Sequence, residues 1–299
     1  MSAKEVGQFD PSDISDIESL TNRIEVKTYR ALLKPTVSVM IKEFTGYDRN
    51  AFDQEVVLLK RLKHKNIVKH LGSTSLSAIG DGQQHVLEYP SKGSLRNHLI
   101  KSGSMSINTR VAIARDVASG MKHLNNSDII HRGLSIDNIL LREDDTAVIS
   151  DLSSAYVIPN KAKKGKYGEI QDFPRVAPEV FSGNEYDTSS DVYSYGVVLA
   201  EIICHSPLEE VKVINYTPDK SIDTKTFEAN IPKDKTSFEL YDIAKRCLRF
   251  NASERPTFNE IVGYLSRIYQ ALPKEIERKE IEDTQDVSGI INKFNKLKA

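Results

Sequence analysis

Ile130-His131-Arg132-Gly133-Leu134-Ser135-Ile136-Asp137-Asn138-Ile139-Leu140-Leu141 sets two basic residues against a glycine, continues through short polar residues, and closes in three aliphatic ones. The aliphatic end reads as a short strand. The middle reads as a loop, in which Asp137 and Asn138 are the right length to hydrogen-bond neighbouring backbone. Gly133 has no side chain and can neither give nor take a proton. Upstream, Val111 to Leu124 reads as a long helix with Ala and Val on one face, ended by Asn125-Asn126-Ser127-Asp128. Downstream, Ala147-Val148-Ile149 is apolar and runs into the polar Ser150-Asp151-Leu152-Ser153.

The whole chain has 299 residues, 39% hydrophobic and 28% charged, which suits a globular protein with a full core. Its 41 basic and 42 acidic residues leave a net charge of −1, so neither nucleic acid nor membrane is the expected partner. Cys204 and Cys247 lie in separate apolar segments and read as core thiols in a reducing compartment. Residues 1–20 are Ser- and Asp-rich, are not a signal peptide, and are expected to be a loosely held arm. Val192 to Cys204 is too short to span a bilayer. There is no lipidation box at either end, and the expected location is the cytoplasm.

Arg23 to Arg30 and Val37 to Lys42 alternate as a hairpin of strands, turned at Lys34-Pro35. Residues 49–63 carry Phe52, Val56, Leu59 and Leu62 on one helical face. A polar loop from Ser73 to Gln84 precedes a short strand, His85 to Tyr89. After Pro273 the chain is highly charged, and no internal repeat is present.

Together these segments resemble the protein kinase superfamily, and within it the tyrosine-kinase-like group. The stretch around His131 is similar to the catalytic loop His-Arg-Asp-Leu-x-x-x-Asn. Val39-Met40-Ile41-Lys42 resembles the strand carrying the phosphate-contacting Lys, and Glu55 stands where the family has the Glu of its N-lobe helix. His64-Lys65-Asn66-Ile67-Val68 resembles the following linker. Glu88-Tyr89-Pro90-Ser91-Lys92-Gly93-Ser94-Leu95 resembles the hinge, with Leu87 as gatekeeper. Asp151-Leu152-Ser153 and Ala177-Pro178-Glu179 resemble the ends of an activation segment. Asp191 to Leu199 and Glu254-Arg255-Pro256 resemble late C-lobe motifs. The implied fold is α+β and bilobal. An N-terminal arm spans 1–20 and a kinase-like domain 21–272, with an N-lobe at 21–89 and a C-lobe at 93–272. A charged tail spans 273–299.

The resemblance also implies roles. Lys42, Glu55, Leu87, Tyr89 and Leu140 would line a nucleotide pocket, and Asn138 and Asp151 would hold magnesium. His131, Arg132, Glu179, Asp191 and Arg255 would be structural, with His131 and Leu152 stacking towards Leu59. Lys42 with Glu55 is equally a clamp that positions the helix without nucleotide, and Asn138 and Asp151 equally bond local backbone.

Four departures point away from catalysis. Gly133 replaces the base. Thr21, Arg23 and Val26 replace the glycines that let backbone approach the phosphates. Met40 replaces a small Ala and would fill adenine space towards Leu140, and Ser153 replaces a Gly. Ser135 and Asp137 stand where active relatives carry a cation. The expected function is therefore a pseudokinase scaffold or allosteric regulator. The alternatives are a low-activity Ser/Thr or Tyr protein kinase, with Asp137 as substitute base, and a fold that binds nucleotide without using it. No cofactor is expected to be required, and ATP with magnesium is expected to bind weakly if at all. The expected partner is another signalling protein, with an active kinase as one candidate. Lys161, Lys163, Lys164, Lys166 and Tyr167, with Ser153, Ser154 and Tyr156, make the segment a candidate phosphorylation switch read by Arg132.

Overall fold

The computed structural model describes residues 7–22, 26–34, 36–45, 49–80, 82–101, 105–158, 175–181, 187–209, 222, 224–228 and 230–273. The chain divides into two compact units. Among the described residues the first holds 7–63 and 68–89, and the second holds 64–67 and 90–273.

The first unit is a six-stranded sheet with one helix. The strands are β1 (Gly7–Gln8), β2 (Ile14–Asn22), β3 (Val26–Leu33), β4 (Val37–Phe44), β5 (His70–Thr74) and β6 (Gln84–Glu88), in the order β1-β5-β6-β4-β3-β2. Helix α1 (Arg49–Arg61) buries Val56, Leu58 and Leu59. The expected hairpin exists as β3 and β4, paired antiparallel from Val26↔Phe44 to Leu33↔Val37.

The loosely held arm is corrected for residues 7–20. Gly7 and Gln8 pair in parallel with Gly72 and Ser73, Ile14 to Asn22 pairs with β3, and Phe9 and Ile14 are buried in the sheet's core. Register shifts between Ser15 and Glu18 and between Ser19 and Thr21 break the two-residue alternation by which a strand is recognised. A side chain at Gly72 would put its Cβ 1.9 Å from the Gly7 carbonyl oxygen, so the parallel pairing of β1 requires glycine there.

The second unit is mainly helical. It begins with β7 (Gly93–Ser94), α2 (Leu95–Lys101) and the expected long helix α3 (Ile107–Asn126), capped by the Ser106 side chain. Strands β8 (Ile129–Ile130), β9 (Ile139–Leu141), β10 (Ala147–Ile149) and β11 (Tyr156–Val157) follow. β9 lies between β10 and β7, and β11 pairs with β8. Then come α4 (Pro178–Phe181), α5 (Thr188–Cys204), α6 (Thr224–Glu228), α7 (Lys235–Cys247) and α8 (Phe258–Ala271). α5 is apolar nearly all round and is the buried centre of the unit. Cys247 is fully buried, Cys204 is half-buried, and both are free thiols. Burial pushes the Cys204 thiol up to about 11 and Cys247 higher still, so neither is a reactive thiolate. No helix among the described residues is long and apolar enough to cross a membrane.

Arg255 ties α4 to the loop before α8. Its guanidinium donates to both Glu179 carboxylate oxygens at 2.7 Å, and also to the carbonyls of Ser189, Arg249 and Phe250. The Arg255 side chain is fully shielded from water. Arg255→Met strands the Glu179 carboxylate and frees three carbonyls. Urea unfolding should show a loss of about 3–5 kcal/mol.

Candidate functional site

The expected site residues fall on both units. In the first unit, β4 presents Lys42 and α1 presents Glu55. Lys42 Nζ lies 2.6 Å from Glu55 Oε2, with the side chains 9% and 3% exposed. A buried pair at that distance is a fixed ion pair rather than a solvated contact. Leu87 and Met40 are buried and face each other across β6 and β4, and Tyr89 follows β6 with the Arg30 guanidinium over its ring. Thr21 and Val26 lie at the facing ends of β2 and β3, and Arg23 lies outside the described residues.

In the second unit the stretch from His131 to Leu141 is built around Asp191. This buried carboxylate on α5 accepts from the backbone N–H of His131 at 2.8 Å and of Arg132 at 3.1 Å, and from Asn125 Nδ2 at 3.5 Å. Burial raises the Asp191 carboxyl, and these hydrogen bonds oppose the rise. Arg132 is held at φ 62° and Asp151 at φ 62°, in the left-handed region that non-glycine residues seldom adopt. Such strain persists only where the surroundings fix it.

The His131 ring links the two loops. Gly133 N–H donates to Nδ1 at 3.2 Å, which leaves Nε2–H to donate to the Ser150 carbonyl at 3.3 Å. Asn138 Nδ2 donates to the Gly133 carbonyl at 2.7 Å, and the Asn138 carbonyl accepts from Ser150 N–H and Oγ. The structure thereby brings Asn138 and the Ser150-Asp151 segment together. Ser153 Oγ donates to Asp151 Oδ1 at 2.8 Å, a contact that glycine at that position would not make. Arg132 donates from Nε to the Ser154 carbonyl and lies 5.7 Å from the centre of the Tyr156 ring. Of the segment's expected phosphorylation region, residues 159–174 lie outside the described residues.

Among the described residues no group of three or more His, Cys, Asp and Glu is arranged to hold a metal. Asn138 and Asp151 nevertheless fit magnesium. The Asn138 amide nitrogen is used on Gly133, which leaves its oxygen as the side chain's acceptor. Magnesium asks for one or two protein oxygens when phosphates and water complete its shell.

Asp137 does not stand ready as a base. Arg96 Nε reaches both its carboxylate oxygens, at 2.8 and 3.0 Å. The same guanidinium reaches Glu209 at 3.0 Å, and Arg175 joins Glu209 at 3.1 Å and the buried Glu201 at 2.7 Å. This chain of ion pairs escapes sequence reasoning, because its members are up to 113 residues apart and none belongs to a local pattern. Burial pushes the Glu201 carboxyl up to about 7, against the opposing pull of Arg175.

At Gly133 a first side-chain carbon would make ordinary van der Waals contacts. A Cβ placed there would meet nothing closer than 3.8 Å, and the nearest atoms belong to Asn138 and His131.

The chain matches the protein tyrosine and serine/threonine kinase family over residues 24–265. It belongs to the protein kinase family. The human dual specificity testis-specific protein kinase 1 is 32% identical, over 83% of this chain and 40% of its own length. The Arabidopsis thaliana serine/threonine-protein kinase STY46 is 30% identical, over 80% of this chain and 40% of its own length. The Dictyostelium discoideum RGS domain-containing serine/threonine-protein kinase A is 33% identical, over 74% of this chain and 19% of its own length. The kinase domain thus spans about two fifths or less of these curated relatives.

Burial raises the Glu209 carboxyl, but hydrogen bonds and charge from Arg96 and Arg175 bring it down to about 2 from an ordinary 4.5. A depressed carboxyl contributes stability above its unfolded value and loses it as pH falls through its folded one. Urea midpoints of the wild type and Glu209→Gln should therefore differ near neutral pH and converge as pH falls from about 4.5 towards 2.

Proposed function

We propose that this chain is an ATP-binding protein kinase domain that transfers phosphate slowly, because its base position is Gly133. The observation that carries this reading is the buried Lys42–Glu55 ion pair at 2.6 Å. In protein kinases that pair must be in place for transfer. The arrangement of Asn138 with the Asp151 segment supports the same reading, as do the names of the relatives, which are kinases.

The chemistry tolerates a missing base better than most. Phosphoryl transfer passes through a loose transition state, so catalysis rests mainly on positioning and on charge. A general base contributes a factor of about 10²–10⁴. Losing it lowers the rate without removing the reaction. Magnesium, when bound with the nucleotide, supplies charge neutralisation at the phosphates. In this chain Lys42 would bind phosphate oxygen, Glu55 would hold Lys42, Asn138 and Asp151 would hold the metal, and His131 would keep their loops in register. Asp137 has no role in the transfer, because Arg96 already holds its carboxylate.

The domain would act on, or be acted on by, another signalling protein, in the cytoplasm. A scaffolding role that uses nucleotide only as a stiffening ligand is the second reading. It is favoured by one contact, the Ser153 hydroxyl on Asp151 Oδ1, which engages with the protein's own donor a carboxylate that would otherwise hold the metal.

Thermal unfolding with ATP and magnesium tests nucleotide binding. At 100 times the dissociation constant a ligand stabilises by about 2.7 kcal/mol, and Asp151→Asn should remove the magnesium-dependent part. Radiolabel transfer from ATP to a generic protein substrate should be slow, and lost in Asp151→Asn. No melting shift at millimolar ATP would sink both readings. A shift without any transfer would leave the second.

A further inference from the structure

Arg96 grips the catalytic stretch in two ways. It is the second residue of α2, and its backbone N–H donates to the Ile136 carbonyl at 3.1 Å. That N–H is one of those a helix start leaves without an internal partner. The Arg96 side chain takes the next residue, with Nε donating to both Asp137 oxygens at 2.8 and 3.0 Å. Asn138 follows directly, and its own N–H donates to the Ser135 carbonyl at 3.1 Å. The start of α2 is itself set from the far end of the stretch. β7 pairs with β9, Gly93 against Leu141 and Ser94 against Leu140, and Leu95 is fully buried.

The other arm of the guanidinium is anchored on α5. Arg96 Nη1 donates to Glu209 Oε2 at 3.0 Å, and Arg175 Nη2 donates to Glu209 Oε1 at 3.1 Å and to Glu201 Oε1 at 2.7 Å. Glu201 is fully buried on α5 and also accepts from the Leu208 N–H at 2.9 Å. The hydroxyl of Ser194, on the same helix, donates to the Arg175 carbonyl at 2.8 Å. One helix therefore holds the stretch at both ends. Asp191 takes its start at His131 and Arg132, and the chain of ion pairs from Glu201 to Arg96 takes Asp137. An isolated surface ion pair contributes little. This one is three-quarters shielded on the Arg96 side and continues to a buried carboxylate. Arginine suits the link, because its planar fork serves two carboxylates where a Lys ammonium is a single point charge.

We propose that Arg96 is a positioning residue for Asn138, setting through Ile136 and Asp137 where that side chain offers its oxygen to magnesium. The proposal rests on the slow-transfer reading. Asp137 takes no proton in it and touches no substrate; it is the handle by which Arg96 holds the loop. Groups that orient a metal ligand from outside its shell change metal affinity by about 10–100-fold when they are removed.

Two measurements on the whole chain test it. Hydrogen exchange without nucleotide reads the loop itself. Arg96→Gln should speed exchange at the amides of residues 136–138 about tenfold and leave α3 and α5 unchanged. Asp137→Ala should match it, and the double variant should be no worse than either single one, because both remove the same link. Arg96→Lys, which keeps a cation beside Asp137, should fall between Arg96→Gln and the wild type. Magnesium titration with a non-hydrolysable ATP analogue reads the ligand. The half-point of the magnesium-dependent melting shift should rise about tenfold in Arg96→Gln, with the magnesium-free shift unchanged. Wild-type exchange at 136–138 in Arg96→Gln, additive single variants, or an unchanged magnesium half-point would overturn the proposal. A wild type with no magnesium-dependent shift would overturn the slow-transfer reading instead, and the exchange rates alone would then decide whether Arg96 sets Asn138.

Discussion

A single buried carboxylate holds the centre of this domain in shape. Asp191 takes the N–H groups of His131 and Arg132, and so fixes a turn in which Arg132 has a left-handed backbone. Without those bonds the two N–H groups would be stranded, and the turn would have nothing to offset its strain. The imidazole of His131 carries the order on to Ser150, and Asn138 does the same through its carbonyl. Gly133 sits inside this frame, with both its N–H and its carbonyl engaged. The frame is therefore complete around a residue that cannot do the family's proton transfer.

Of the two expectations, a pseudokinase scaffold and a low-activity kinase, the relatives named as kinases favour the second. Missing glycines, Met40 and Gly133 all argue against efficient transfer, yet none of them disturbs the Lys42–Glu55 pair or the placement of Asn138. Phosphoryl transfer depends chiefly on position and charge, which is why the proposed function is slow transfer and not none. The case against Asp137 as a substitute base is its ion pair with Arg96.

Much of the fold was legible because kinase motifs are local strings with fixed spacing. Glu179 and Arg255, 76 residues apart, were both marked as structural by the resemblance and meet bidentately in the structure. The start of the chain was not legible. β2 departs from alternation at its bulges, and β1 has only two residues, paired in parallel to a strand far along the chain. Nor was the ion-pair chain from Asp137 to Glu201 legible, because Arg96, Arg175 and Glu209 carry no signal beyond being charged.

Restoring the missing carboxylate tests the proposed slow transfer most directly. A Cβ at Gly133 clashes with nothing, so Gly133→Asp is a permissible first substitution. Transfer of phosphate from ATP by the purified variant should exceed that of the wild type by about 10²–10⁴, and should vanish when Asp151→Asn is added. A folded Gly133→Asp variant that transfers no faster than the wild type would contradict the account, because the deficit would then lie in the positioning groups themselves.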